Sequence, residues 1–312
     1  MFAYLSKKIA MPHNTRVEKV AWSVEDGLLA VGGEKGLLKV IKFEDKKPIL
    51  GIAAAGASAN VSLQTNQTLS KHTGVVDIVT WNDIYRKLTT SDENGVIIVW
   101  INQEGFWVEE MINDRGKSFV VDMKWSPDGS RICICYEDGA VIIGGVEGNR
   151  QWGKDLKHKL NYVEWSPDGK LLLFGTPDGE VKIYDDQGQP LYQTKILCFT
   201  KNEIENIYTP KKKLAAVQWY EGTKMYTDDT PPGLCIAYQC GRVQLMKNEK
   251  DDRPIVFDTE ITTLALRWNP TGTIFAVGGF IVEGDQPKGM VQFYNNQGYY
   301  LKAITVKLFH FE

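Results

Sequence analysis

The sequence predicts an all-β fold built from one repeated, strand-rich unit, and two observations support this. Short alternating apolar segments run six times into a tryptophan, at Trp22, Trp81, Trp125, Trp165, Trp219 and Trp268. Each tryptophan is followed by a turn, a second apolar segment, a further turn and a third segment. Recurrence of such a unit every 40 to 59 residues indicates copies stacked on one another. Units of four antiparallel strands at this spacing are typical of β-propeller blades.

The third unit shows how the residues encode strands. In VVDMKW the side chains of Val121, Met123 and Trp125 should share one face, because successive side chains of a strand alternate. The segment Pro127-Asp128-Gly129 supplies a fixed φ, a capping side chain and a residue free to take positive φ, so the chain reverses. The segments that follow are a returning strand, a glycine turn and a third strand, at residues 131–136, 137–139 and 140–143.

A fourth, outer strand is predicted at the end of each unit, and ranges are assigned to five of these strands. These strands cover residues 107–111, 151–156, 191–196, 254–258 and 299–306. Residues 1–10 also read as an outer strand, which would close a ring formed by a single domain over residues 1–312. With one outer strand for each of the six units, the strand at residues 1–10 is a seventh against six inner triplets, so we expect an incomplete seven-bladed ring with exposed edges. The alternative is a six-bladed ring that closes by another pairing.

Composition agrees with a large β domain and excludes several function classes. The 312 residues are 43% hydrophobic, and a net charge of −3 offers no positive field for nucleic acid. No segment approaches the roughly 20 apolar residues that cross a bilayer, so we expect no direct membrane insertion. Five cysteines without a CxxC pair indicate reduced thiols in a cytosolic compartment.

The search for catalytic chemistry finds no motif. The sequence lacks GxxxxGK[ST], GxSxG and HExxH, and its four histidines are widely scattered. We therefore predict no catalytic, cofactor-binding or metal-binding residue and no cofactor. The class of propeller enzymes stays open through Asp77, Asp122 and Glu164 on successive first strands, which should line the channel. A cluster of raised pKa values there would indicate a catalytic site.

Long runs of the sequence resemble WD-repeat subunits of intraflagellar transport complex A. The runs are residues 2–10, 87–100 and 136–155, and the two longer ones exceed what the constraints of a blade explain. Trp100 stands where WD repeats carry their namesake tryptophan, although Ile101 follows it in place of aspartate. A tubby-like relative has similar blades and is the alternative.

The resemblance implies a WD-repeat β-propeller with six recognisable four-stranded blades that serves as a non-catalytic scaffold. Complex A acts in retrograde ciliary transport and in delivery of ciliary membrane proteins. The implied partners are other complex A subunits and adaptors for ciliary membrane-protein cargo. The implied location is the cytoplasm, the cilium and the ciliary base. A scaffold of another vesicle coat or of a tubby-like assembly is the alternative.

The resemblance also implies a structural hydrogen-bond group in the second blade. His72 precedes the segment that ends at Trp81, where WD-repeat blades commonly bind a histidine to a hydroxyl and an acid of the second turn. Ser91 and Asp92 are the candidate partners, and Trp100 would complete the group.

Aromatic residues on the predicted outer strands are candidates for a partner surface, because large rigid side chains make good interface anchors. They are Trp107, Trp152, Tyr299 and Tyr300. Arg150 and Lys154 flank Trp152 within the run 136–155, so this strand is the first choice. The alternative for the aromatic residues is packing between adjacent blades.

Overall fold

The computed structural model describes residue 11 and residues 15–42, 66–116, 118–199, 212–220, 233–284 and 286–306. These residues form six four-stranded antiparallel sheets, which confirms the predicted all-β fold of six four-stranded blades. The expected closing strand at residues 1–10 lies outside the described residues, so the seven-bladed ring and its closure stay predictions.

The described residues up to Lys157 belong to one compact unit, the N-terminal unit, with three sheets. The first sheet contains β1 Val17–Ser23, β2 Leu28–Gly33, β3 Leu38–Lys42 and β4 Asn66–Thr68. The second contains β5 Val76–Asn82, β6 Lys87–Asp92, β7 Val96–Gln103 and β8 Phe106–Asp114. The third contains β9 Val120–Trp125, β10 Arg131–Tyr136, β11 Ala140–Gly145 and β12 Arg150–Asp155.

The described residues from His158 onward belong to a second compact unit, the C-terminal unit, with the other three sheets. The fourth sheet contains β13 Tyr162–Trp165, β14 Leu171–Gly175, β15 Val181–Asp185 and β16 Pro190–Gln193. The fifth contains β17 Leu214–Trp219, β18 Leu234–Tyr238, β19 Arg242–Met246 and β20 Ile255–Asp258. The sixth contains β21 Thr262–Trp268, β22 Ile274–Glu283, β23 Gln286–Asn295 and β24 Tyr300–Val306.

Within each unit, the first strands of neighbouring sheets contact one another, as the first strands of propeller blades do. In the N-terminal unit β5 lies against both β1 and β9, and in the C-terminal unit β17 lies against both β13 and β21. All six repeated tryptophans lie in these first strands. Two of them tie neighbouring sheets together: Trp81 Nε1 donates to the carbonyl of Ala21 at 3.0 Å, and Trp125 Nε1 donates to Thr89 Oγ1 at 3.2 Å.

A β-bulge near the start of most first strands changes which side chains reach the core. In β9 the partner of Tyr136 is Val120 and that of Cys135 is Asp122, so Val121 is the extra residue. A bulge inserts one residue and shifts the alternation that precedes it. The expectation that Val121 shares a face with Met123 is therefore wrong: Val120 packs with Met123 in the core instead.

The turn after the first strand is held by side chains in the two units that contain WSPDG. In the fourth sheet Ser166 Oγ donates to Asp168 Oδ1 at 2.6 Å and accepts the backbone N–H of Leu171 at 2.9 Å. The hydrogen bond from Ser166 lowers the pKa of Asp168. The equivalent turn of the third sheet places Gly129 at φ 69°, a left-handed conformation that favours glycine.

Replacing Gly129 by alanine should destabilise the protein by about 2–3 kcal/mol. A Cβ atom would lie 2.5 Å from Asn82 Oδ1 and 3.0 Å from the ring of Tyr85, in addition to the strain of positive φ. Gly27 is the matched control, because it has φ 62° and a Cβ atom there would meet nothing within 4 Å. Gly27→Ala should lose only about 1 kcal/mol. Urea denaturation measures both losses, and equal values would contradict the proposed clash.

Candidate functional site

A buried hydrogen-bonded chain crosses the second sheet around His72. Trp100 Nε1 lies 2.9 Å from Thr90 Oγ1, and this oxygen lies 2.7 Å from His72 Nε2. The other ring nitrogen, Nδ1, lies 3.1 Å from Asp92 Oδ2. The second carboxylate oxygen of Asp92 accepts the backbone N–H groups of Asn94 and Val96. The chain therefore fixes the turn between β6 and β7 from within the sheet.

The distances are consistent with a neutral histidine. Its Nδ1–H donates to Asp92, its Nε2 accepts from the Thr90 hydroxyl, and this hydroxyl accepts from Trp100, so each polar hydrogen has a partner. Burial lowers the pKa of His72 below 6.5, although the Asp92 carboxylate acts in the opposite direction. With the proton held on Nδ1, the group stabilises the blade and offers no free base.

The hydroxyl of this group belongs to Thr90. The prediction that Ser91 supplies it is wrong. Thr90 and Asp92 are two positions apart in β6, so both side chains point to the same face. Ser91 lies between them and points to the other face, where its Oγ is 3.5 Å from the carbonyl of Asp92. The alternation of side chains along a strand, counted back from Asp92, identifies Thr90 from the sequence.

Trp107 does not form part of an exposed partner surface. Its side chain is 5% exposed and packs edge-on against Trp81, with 5.3 Å between the ring centroids. Its backbone exchanges two hydrogen bonds with the side-chain amide of Gln67, at 2.8 and 2.9 Å. Trp107 therefore joins the first and second sheets, as the alternative reading of the outer aromatic residues held.

Three of the other candidates, Arg150, Trp152 and Lys154, lie on β12, the outer strand of the third sheet, whereas Tyr299 and Tyr300 are exposed where β24 begins. Arg150 is exposed, whereas Trp152 and Lys154 are half-buried. Lys154 Nζ lies 5.7 Å from the centroid of the Trp152 ring, within the range of a cation–π contact. The guanidinium of Arg150 lies over Gly153, where a Cβ atom would leave it no room. Because side chains alternate along a strand, Trp152 and Lys154 lie on one face of β12, and Arg150, over Gly153, lies on the other.

An apolar cleft of about 240 Å³ opens beside Arg150, between the second and third sheets. Its walls include Ile97 and Met111 of the second sheet and Ile134 and Ile142 of the third. Such a cleft can accept a large apolar side chain, with Arg150 at its edge available to a carboxylate. Together, the cleft and β12 form the rim site.

A catalytic site was considered at three acidic residues of the first strands, Asp77, Asp122 and Glu164. Asp77 is the extra residue of the bulge in β5. Solvent reaches its side chain, but the surrounding protein atoms and then the charge of Asp92 raise the pKa of Asp77 to about 6. The charges that act on Asp77 are those of Asp92 and Glu93, which raise its pKa, and that of Lys19, which lowers it.

The remaining residues with metal-ligand or nucleophile chemistry are histidines, cysteines and acidic side chains. Among the described residues, no group of three or more His, Cys, Asp or Glu could hold a metal ion. All five cysteines are free, and burial raises the pKa of the Cys235 thiol, which makes it a poor nucleophile. No helix in the described part of the chain is long and apolar enough to span a membrane.

The stacked four-stranded sheets and the group around His72 define a WD-repeat β-propeller. A solved structure, the β-propeller domain of Cps50 (Swd1) from Myceliophteria thermophila, shares this fold with a TM-score of 0.68. The match covers 96% of this chain and 88% of that chain at 12% identity, which shows the fold alone. The chain belongs to the family described as WDR35/TULP4 N-terminal, whose model matches residues 1–310.

Two curated relatives show where the chain lies within this family. WD repeat-containing protein 35 of Homo sapiens is 46% identical over 309 residues, which are 98% of this chain and 26% of the relative. Tubby-related protein 4 of Homo sapiens is 30% identical over 305 residues, which cover 88% of this chain and 19% of the relative. The chain therefore spans about a quarter of the length of the first relative and about a fifth of the length of the second. Neither name is that of an enzyme.

Removing the hydroxyl of Thr90 should be costlier than removing that of Ser91. Thr90→Val leaves the buried N–H of Trp100 and Nε2 of His72 without their partner, a loss of about 2–3 kcal/mol. Ser91→Ala removes one long hydrogen bond and should lose less than about 1 kcal/mol. Urea denaturation at pH 7.5 measures the difference, and equal losses would place the Thr90 hydroxyl outside the group.

Asp77→Asn should stabilise the protein at neutral pH. Because the folded pKa of Asp77 is about 6 and its ordinary value is 3.8, the folded state retains a proton between these values that the unfolded state has lost. Stability therefore falls as pH rises through this window. With allowance for solvent screening, the variant should gain up to about 1 kcal/mol at pH 7.5 and almost nothing at pH 4. Urea denaturation at both pH values provides the test, and an equal gain at each would exclude titration of Asp77.

Proposed function

We propose that this chain is a non-catalytic interaction scaffold of intraflagellar transport complex A. The observation that carries the proposal is the 46% identity with WD repeat-containing protein 35 over 98% of the chain, together with the resemblance of residues 87–100 and 136–155 to complex A subunits. The role would be in retrograde ciliary transport and delivery of ciliary membrane proteins, with a location in the cytoplasm, cilium and ciliary base.

The proposed partners are other complex A subunits and adaptors for ciliary membrane-protein cargo. The rim site supports a protein partner, because Arg150 lies beside the apolar cleft and Trp152 with Lys154 lies on the other face of the same outer strand. Aromatic and arginine residues dominate the energetics of protein interfaces. The fold supports a scaffold, since propeller blades present strand edges and turns to partners and keep their apolar faces buried.

A second candidate is a scaffold in a tubby-like assembly or in another vesicle coat. The observation in its favour is the 30% identity with Tubby-related protein 4 over 88% of the chain. The two candidates predict different companions in a ciliated cell. Mass spectrometry of proteins that co-purify with the tagged chain should recover complex A subunits under the first candidate. Recovery of another assembly without them would favour the second.

Reversing two charges of the rim site should weaken the association. In Arg150→Glu/Lys154→Glu the strand keeps its backbone while the cation at the cleft and the cation beside Trp152 become anions, so recovery of complex A subunits should fall about ten-fold, equivalent to ~1.4 kcal/mol. Lys213→Glu/Lys247→Glu is the control, because both lysines are exposed and directly flank strands of the fifth sheet, Lys213 before β17 and Lys247 after β19. Equal recovery with the two double variants, both with unchanged unfolding free energy, would place the docking surface elsewhere.

A further inference from the structure

The sixth sheet carries a hairpin that is longer than those of the other sheets in the described part of the chain. Its strands β22 and β23 have ten residues each, whereas the second and third strands of the other sheets have five to eight. The pairing of β21 with β22 ends at Thr262 and Phe280. Beyond it, Ile281–Glu283 pair with β23 alone. Among the described residues, no strand covers the other edge of this segment, which we call the arm.

An open groove of about 580 Å³ lies between the arm and the turn that leads into β21. Ile281 and Val282 line one side, and Val282 is 65% exposed. Asp258 and Glu260 line the other side. Ile261 is buried in the core, so the chain between Asp258 and β21 turns inward and leaves the edge of the arm open.

Hydrogen bonds hold the acidic side of the groove in place. Gln292 of β23 donates its side-chain amide to the carbonyl of Thr259 at 3.0 Å. The hydroxyl of Thr259 donates to the carbonyl of Gly241 at 2.8 Å, and the N–H of Glu260 donates to Asp258 Oδ1 at 2.8 Å. A preformed turn loses little entropy when a partner binds.

The charges of the groove select a basic occupant. Asp258 is partly balanced by Arg242, whose Nε lies 3.9 Å from Oδ2. Glu283 at the end of the arm pairs with Lys288 at 3.2 Å. Glu260 is exposed and makes no ion pair with any described residue. The groove therefore has an excess of negative charge, which attracts lysine or arginine and repels acidic segments.

Glu260 is not required by the turn in which it lies. Its φ is 58°, and Gly116 and Lys157 have φ of 62° and 58° at the equivalent position of two other turns. In each of the three turns this residue donates its N–H to an aspartate two positions earlier. A lysine can therefore occupy the turn, so the charge at position 260 can be reversed without changing the backbone.

We propose that the groove binds an extended peptide of a partner protein, in which basic and apolar side chains alternate. The peptide adds to the uncovered edge of Ile281–Glu283 as a further strand, its backbone pairing with the arm. Its basic side chains pair with Glu260 and Asp258, and its apolar side chains cover Val282. This inference rests on the proposed scaffold function and specifies the chemistry of one partner segment.

The test uses the whole chain and a fluorescein-labelled hexapeptide, Lys-Val-Lys-Val-Lys-Val, with Glu-Val-Glu-Val-Glu-Val as the acidic counterpart. Fluorescence anisotropy should show at least about ten-fold tighter binding of the basic peptide, and Glu260→Lys should weaken that binding by a similar factor. Glu104→Lys is the matched control, since Glu104 is also an exposed, left-handed glutamate, in a turn of the second sheet. Equal weakening by both variants, or equal binding of both peptides, would overturn the site.

A second peptide separates strand addition from attraction between charges. N-methylation of every backbone amide keeps the side-chain charges but removes the donors of both strand edges, so binding should fall at least about ten-fold. Unchanged binding would overturn strand addition. Failure of the groove to bind peptide can also be distinguished from failure of the proposed scaffold function. A chain that recovers complex A subunits but binds no basic peptide contradicts the groove alone, and the reverse result contradicts complex A membership alone.

Discussion

Burial of the inner strands on both faces is the constraint on which the rest of the structure depends. Every residue of β18, Leu234–Tyr238, is fully buried, and so are Leu172, Leu173 and Phe174 of β14. Successive side chains of a strand point to opposite faces, so such strands need a packed layer on each side. Each large apolar side chain contributes about 1.5–3 kcal/mol when buried. A single blade cannot supply both layers, and the sheets must therefore stack.

The repeated tryptophan meets this constraint chiefly through its volume. In the N-terminal unit, the indoles of Trp81 and Trp125 also donate hydrogen bonds to the preceding sheet. In the C-terminal unit, the link from the fourth to the fifth sheet is instead Tyr162 Oη donating to the carbonyl of Val217 at 2.7 Å. The buried Nε1 of Trp268 has no hydrogen-bond partner among the described residues, although its ring packs on Phe275. An indole thus packs at these junctions while the hydrogen bonds differ, and Trp22 of the first sheet is the exception, because its side chain is 50% exposed.

Local patterns predicted the strands well because a strand and its turn are encoded within a few residues. They failed where the outcome depends on a partner strand or sheet. Val121 loses its place in the core to Val120 through a bulge that only the pairing with β10 reveals. Trp107 was assigned to an exposed rim because its own strand is polar, but the first sheet covers it. Thr90 was within reach of sequence reasoning, since alternation from Asp92 identifies it.

Stacking leaves the outer strands and turns to carry specificity. Three of the four side chains of β20 are exposed, as are three of the four of β16, in contrast to the inner strands. The propeller of Cps50 (Swd1) keeps this fold at 12% identity, so the blade architecture by itself says little about function. Substitutions in the inner strands should act on stability, whereas those at β12, the arm and the turn that contains Glu260 should leave the core unchanged. The exposed outer strands are therefore the part of a blade in which the sequence can change while the fold is kept.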